Sequence, residues 1–321
     1  MSSAWWPNWL TDADVALRHL GFVALPPNAN AGGFDHAAVH EPTGRVYVAH
    51  TANDAVDMID IAARRYVRSI PDLPAVAGAL VAEPDLVFTS NRGENTVALF
   101  TTADAPRVER IPVGVRPNGL AYDPRRSRLL VAHVGDPAIA GSFTISIVDV
   151  RTRKRIADIP VAGRTRWAVY DPVGDAFHVN IADPPQIIVV ESGDPVRIRR
   201  HVAIPHAGPH GLDMDVVSRR LFCACDAGVL VAVDADTGKL QETHAIGGVP
   251  DVVFFNPGRA RVYVAIGHPG VIDVFDTAPL SRRETVATEA GAHTLSFDAT
   301  RNIVCAFLPQ SCRAGIYDDG A

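Results

Sequence analysis

The chain has 321 residues, 47% of them hydrophobic and 21% charged, with a formal net charge of −6 and no basic stripe. That profile excludes a disordered chain and offers no electrostatic case for nucleic acid or an anionic membrane as partner. No run approaches the roughly 18 apolar residues of a spanning helix. The opening MSSAWWPNWLTDAD has no positive segment and breaks its apolar stretch at Pro7 and Asn8, so no secretory signal is expected and the expected location is cytoplasmic.

Taken in order, residues 1–15 read as a loose tail or a short helix capped by Thr11. ALRHLGFVALP follows, an alternating strand. From Phe34 a pattern begins: polar or glycine-rich residues, a short apolar run, an Asp-Pro-like turn, a second apolar run. It appears as FDHAAVHEPTGRVYVAH, AGALVAEPDLVFTSN, PNGLAYDPRRSRLLVAH, TRWAVYDPVGDAFHVN, PHGLDMDVVSRRLFCAC, PDVVFFNPGRARVYVAI and AHTLSFDATRNIVCAF. After each copy comes an alternating run (DAVDMIDI, NTVALFTT, FTISIVDV, PQIIVVES, GVLVAVDA, GVIDVFDT and finally AGIYDD). A further strand such as RYVRSIP or KRIADIPV leads to the next copy. Period-two alternation, β-branched residues and intervening turns indicate strands. Four short strands repeated at intervals near 40 residues indicate a β-propeller.

The expected fold is therefore all-β, a seven-bladed propeller of four-stranded blades occupying residues 16–321 as one domain. The seventh unit lacks a fourth strand, and residues 16–25 are expected to supply it and close the ring. Cys223 and Cys225 alternate along LFCACD and Cys305 lies in NIVCAF, positions of small buried apolar residues rather than of a disulfide framework.

The units VYVAHTANDAVDMIDI and VFTSNRGENTVALF, with the junctions IPVGVRPNGLAYDP and IPVAGRTRWAVYDP, resemble the YVTN-repeat, lactonase-like seven-bladed propellers over residues 16–318. The resemblance implies the fold; it leaves the activity open, since such propellers serve as hydrolases, lyases, electron-transfer modules and non-catalytic proteins.

One position of the repeat carries chemistry. Counted from the turn, it holds His36, Ala77, Asn118, Arg166, His210, Asp251 and His293 in successive copies, the last three at intervals of 41 and 42 residues. In a propeller, equivalent positions at the start of the innermost strand form a ring about the axis. Copies five, six, seven and one are neighbours in a closed ring, so His210, Asp251, His293 and His36 are expected along one side of the channel mouth. Imidazole and carboxylate are donors suited to Zn, Fe, Mn or Cu. Arg166 and Asn118 are expected opposite, holding an anionic or carbonyl oxygen of a small-molecule substrate, with Asp251 or a free histidine moving a proton.

The bland alternative for any one of these residues is ordered water or a backbone bond at a blade junction. A second layer, His50, Asn91, His133, Asn180 and Cys225, ends the second strand of its copy. Asparagine there fixes the next turn, whereas His50 and His133 are expected to orient the inner ring. His178, His201, His206 and His244 fall off the register and read as surface or satisfied histidines. His268 follows a turn glycine. Trp167 reads as a core residue or an aromatic wall, and the long connection 134–142 as a lid or an insertion.

No Gly-rich phosphate loop and no GxSxG elbow is present. Three functions follow as expectations: a metal-dependent lactone or ester hydrolase or lyase; a metal-free acid–base site for an anionic metabolite; and a non-catalytic propeller that binds a protein through its rim loops.

Overall fold

Twenty-eight strands form seven four-stranded antiparallel sheets in the computed structural model, which describes residues 15–82, 84–104 and 106–320. The expected tail at 1–15, with its Thr11 cap, lies outside the described residues except for Val15. The helix among the described residues is one 3-10 turn, Thr51–Asn53. No helix among them is long and apolar enough to cross a membrane.

Blade five is typical: Pro209–Asp215 is innermost, followed outward by Arg220–Cys225, Val229–Asp234 and Leu240–Ala245. The innermost strands of the other blades are Ala37–His40, Val76–Ala82, Pro117–Asp123, Thr165–Asp171, Val249–Asn256 and Thr294–Asp298. Each packs against its neighbours in adjacent blades, the seventh against the first. The middle strands are covered on both faces by flanking blades. Arg128–His133 is accordingly buried throughout, while the outermost strand of the same blade, Lys154–Pro160, is largely exposed. Between blades three and four, Leu130, Ala132 and Ile147 meet Phe177, Val179 and Ile188. Burying each large side chain contributes about 1.5–3 kcal/mol. Cys223, Cys225 and Cys305 are free and buried in such layers.

The ring closes as expected. Arg18–Ala24 pairs antiparallel with Arg313–Asp318, Arg18 opposite Asp318 and Ala24 opposite Arg313. The backbone N–H groups of Ala16 and Leu17 donate to the Glu284 carboxylate (2.8 and 3.1 Å) and anchor the entry. The last blade thereby gains its fourth, outermost strand, which covers the edge of Arg313–Asp318 that would otherwise template association.

Two backbone devices build the channel mouth. First, the pairing of innermost and second strands slips between Val76 and Gly78, Pro117 and Leu120, Thr165 and Ala168, Pro209 and Leu212, and Pro250 and Val253. Ala77, Asn118, Arg166, His210 and Asp251 therefore all sit in β-bulges, which take a residue out of the ladder and re-aim its side chain. Second, a glycine follows the ring residue in blades two, three and five. A Cβ on Gly78 would lie 2.3 Å from the Asn118 carbonyl oxygen, one on Gly119 2.3 Å from that of Arg166, and one on Gly211 2.4 Å from that of Asp251. Neighbouring inner strands approach closely because these residues have no side chain.

At the other end, arginines latch the blades together. Arg126 makes two 2.7 Å bonds to Asp175 of the next blade, and Arg219 makes bonds of 2.7 and 2.6 Å back to Asp171. Asp171 is held well below the usual carboxylate range: burial works against this, but the nearby His178 imidazole and bonds from Arg219 and the backbone outweigh it.

Candidate functional site at the channel mouth

The bulges bring the repeated position together. His210 is the hub. Its Nδ1–H donates to Asp226 Oδ1 (2.7 Å), and its Nε2 lies 2.9 Å from Arg166 Nη1 and 3.2 Å from Asp251 Oδ1. His293 Nε2 approaches the other Asp251 oxygen at 3.8 Å, and its Nδ1–H is fixed on the Gly291 carbonyl (2.8 Å). The Trp167 indole N–H points at Asp251 Oδ1 from 3.4 Å. His36 stacks on Trp167 with centroids 4.1 Å apart. Blades one and four face each other across the ring, so this stack spans the channel and floors the mouth.

The electrostatics follow from this crowding. Burial alone would raise the Asp251 pKa, but His210, then His293 and His36, outweigh it and hold the carboxyl well below its ordinary range. Burial alone would lower that of His210, yet Asp251 and Asp226 hold it above the ordinary histidine value. His36 is lowered, mainly by burial. His210 Nε2 thus faces two incompatible partners, a guanidinium that needs its lone pair and a carboxylate that needs a proton. A proton arriving there exchanges one bond for the other.

Arg166 was expected opposite the histidines beside Asn118. Instead its guanidinium reaches across the junction to His210 and, at 3.4 Å, to Asp226. The side chain is long and the neighbouring blade is close. Asn118 turns the other way, its carbonyl taken by Arg92, which also pairs with Asp35 at 3.2 Å. Asn118 and Arg166 therefore do not form one oxygen-holding pair.

The second layer serves the frame. His50 is bonded to Asp57 at 2.7 Å and lies 2.8 Å from Asn28. His133 donates from Nδ1 to Thr144 Oγ1 (2.8 Å) and accepts the Gly114 N–H on Nε2 (3.2 Å). Both sets of bonds stay within the blade and its junctions rather than running to the ring histidines. Asn91 ties the following turn through Glu94 and Thr96, whereas Asn180 donates to the His210 and Gly211 carbonyls of the next blade (2.9 and 3.2 Å), supporting the bulge.

His201 bonds Gln186 as a surface residue. His178 differs from expectation: it is buried with neither ring nitrogen hydrogen-bonded among the described residues, and Asp171 is 3.6 Å away. Its second-strand position faces a layer between blades rather than solvent. Connection 134–142 folds on itself, the Ser142 hydroxyl donating to the Asp136 carbonyl (2.6 Å) and accepting the Asp136 N–H (2.9 Å).

Sequence reasoning passed over five charged residues of the mouth. Arg92 and Asp226 occupy the same register, one residue beyond the second strand, and are its charged occupants among Thr51, Arg92, Val134, Ile181, Asp226, Gly267 and Leu308. Asp35 precedes a ring residue. Arg116 and Arg164 each stand two residues before one, and their side chains have no hydrogen-bond or ion-pair partner among the described residues. Partial burial and the charges of Arg166, Arg92 and Arg116 lower the Arg164 pKa against the opposing pull of Asp226, which places these groups in one field. Carrying the count two residues back from the ring position and one residue on from the end of the second strand reveals all five.

As for a metal, no group of three or more His, Cys, Asp or Glu side chains among the described residues is arranged to hold an ion. Both His210 nitrogens are engaged, and Arg166 brings positive charge to the point where an ion would share His210 and Asp251. The donor set as it stands does not fit a metal held by His36, His210, His293 and Asp251 together.

The molecule is thus a seven-bladed β-propeller whose channel mouth is divided by charge: arginines on blades two to four, carboxylates and imidazoles on blades five to seven and one. No protein-family profile and no curated protein sequence matches the chain.

Proposed function

We propose that the channel mouth binds a small anionic molecule bearing a carboxylate or carbonyl oxygen, and that His210 exchanges a proton with it without a metal. The observation that carries this reading is that Arg116 and Arg164, whose side chains have no hydrogen-bond or ion-pair partner among the described residues, share one field with the Arg166–His210–Asp226 chain. Two guanidiniums whose side chains make no hydrogen bond or ion pair among the described residues, Arg164 lying in the field of Arg166, Arg92 and Arg116 with Asp226 opposing them, suit an anion from solution. Arg164 and Arg166 hold the ligand oxygen, Asp226 fixes the imidazole tautomer, and Asp251 stabilises the imidazolium once Nε2 has taken a proton. Ester or lactone hydrolysis, or elimination, is the reaction class proposed, because a proton-exchanging imidazole beside guanidiniums that hold a carboxylate or carbonyl oxygen suits either.

The test is thermal shift and calorimetry with small mono- and dicarboxylates. Binding that raises stability with ligand concentration supports the proposal. Because Arg116 and Arg164 have no partners to lose, Arg116→Ala/Arg164→Ala is expected to keep the parent stability while weakening anion binding at least tenfold. Unchanged binding in that variant refutes the reading. Rim-loop substitutions that abolish capture of a protein partner, while mouth substitutions do not, favour the scaffold alternative.

A second reading retains a metal on fewer ligands. His293 Nδ1 is committed to Gly291, so its Nε2 presents a lone pair beside the free side of Asp251. Stoichiometric Zn, Fe, Mn or Cu in protein purified without chelator, lost in His293→Ala, supports that reading, and its absence removes it.

A further inference from the structure

Below the His36–Trp167 stack the channel opens into a second space, a cavity of about 540 Å3 that runs along the innermost strands to Pro124 at the turn of blade three. Its walls are of a different kind from the mouth. Val39, Leu80, Leu120 and Val169 give aliphatic surface, and Tyr122 and Phe254 give aromatic faces. Among the described residues no lysine or arginine lines it, and His36, the imidazole at its head, is held towards the neutral form by burial.

One carboxyl interrupts this surface, that of Asp213. Its oxygens accept the backbone N–H groups of Met214 (2.8 Å) and Phe255 (2.7 Å). Among the described residues no side chain donates to it and no charged group acts on it: burial pushes its pKa up to about 6 against the two backbone bonds. Every other acid lining the channel has a basic partner: Asp251 has its histidines, Asp35 has Arg92, and Asp226 has His210 and Arg166. Asp213 is thus a carboxyl group without a basic partner among the described residues in a largely apolar chamber, and ionising it there carries a cost that a bound cation relieves. The volume lies in the range of small-molecule sites, which combine apolar walls with a few placed polar groups. Aromatic faces beside a carboxylate recognise ammonium ions through the ring quadrupole as well as charge.

We propose that this lower chamber is a binding site for a small organic ammonium ion with an apolar body, its nitrogen on Asp213 and its body against the aliphatic and aromatic walls. The site is separate from the anion-binding mouth: the stacked rings stand between them, and the two ligands are of opposite charge.

Three probes of similar size and different charge test this by calorimetry near pH 7: phenethylammonium, 2-phenylethanol and 3-phenylpropionate. Phenethylammonium is expected to bind at least tenfold more tightly than the alcohol, with the carboxylate weaker still. Asp213→Asn is expected to remove that preference. Ala38→Leu narrows the chamber from blade one, away from Asp213, and is expected to weaken binding of all three, so the test does not depend on Asp213→Asn folding. Arg166→Ala, at the mouth, is expected to leave phenethylammonium binding intact, which separates a failure here from a failure of the anion site. No phenethylammonium binding to the parent protein at millimolar concentration, equal affinity for ammonium and alcohol, or full binding by folded Asp213→Asn overturns the proposal.

Discussion

Replacing His133 by asparagine, the residue at the same register in blades two and four (Asn91 and Asn180), removes a titrating group from the interior. His133 is fully buried, its Nδ1–H is on Thr144, and its Nε2 accepts the Gly114 N–H. A proton on Nε2 would break the Gly114 bond and leave a charge in an apolar layer, and burial accordingly lowers the His133 pKa from 6.5 to about 4. As pH falls through 6.5 the unfolded chain takes up a proton that the folded chain refuses until about pH 4. The folded state therefore loses stability across this window, by about 3 kcal/mol in all, and loses no more below it. At neutral pH the asparagine variant forfeits one or two buried bonds, a cost of about 1–3 kcal/mol. Urea unfolding of both proteins from pH 7 down to pH 4 reads the difference directly, because the aspartates, His36 and His178 titrate in both and cancel. The parent is expected to be the more stable at pH 7, with the gap closing or reversing by pH 4. A stability difference that stays constant across the window refutes the argument.

Gly211→Ala places a methyl against the Asp251 carbonyl, which is backbone and can yield only by moving the inner strand. A loss of about 1–3 kcal/mol in unfolding free energy is expected, together with weaker ligand binding at the mouth. Arg219→Ala strips Asp171 of its bidentate partner and leaves a buried carboxylate. The expected cost is about 3 kcal/mol by denaturant unfolding at pH 7. Because the Asp171 pKa is depressed, its contribution is present above the ordinary carboxylate pKa of about 4 and is lost as pH falls below it, so the gap between parent and variant is expected to shrink in acid. Deleting residues 1–25 leaves Arg313–Asp318 as an open edge, and sedimentation is expected to show association or loss of soluble protein.

How far the sequence reached can be seen residue by residue. The four-strand period and the closing strand were legible because every blade buries its middle strands on both faces and turns at the same places, so hydrophobic alternation and turn residues repeat in register. The ring of His36, Asn118, Arg166, His210, Asp251 and His293 was legible for the same reason, since equivalent positions in a closed ring share one axis. Asp226 and Arg92 were not found because what marks them is reach across a junction, to His210 and Arg166 and to Asn118 and Asp35 respectively. Arg164 was not found because it stands two residues before the ring position rather than on it. His178 was misread because the off-register positions of a second strand face a neighbouring blade, and that blade is remote in the chain.

Periodicity by itself determined the architecture and which residues stand round the axis. Tertiary structure alone decided what those residues do to one another: that Arg166 leans on His210 rather than on Asn118, that His36 meets Trp167 across the channel, and that Asp213 is left in an apolar chamber. A repeat fixes backbone positions to within a bulge, whereas hydrogen bonds and ion pairs form or fail over an ångström, which depends on how closely seven separate sheets approach.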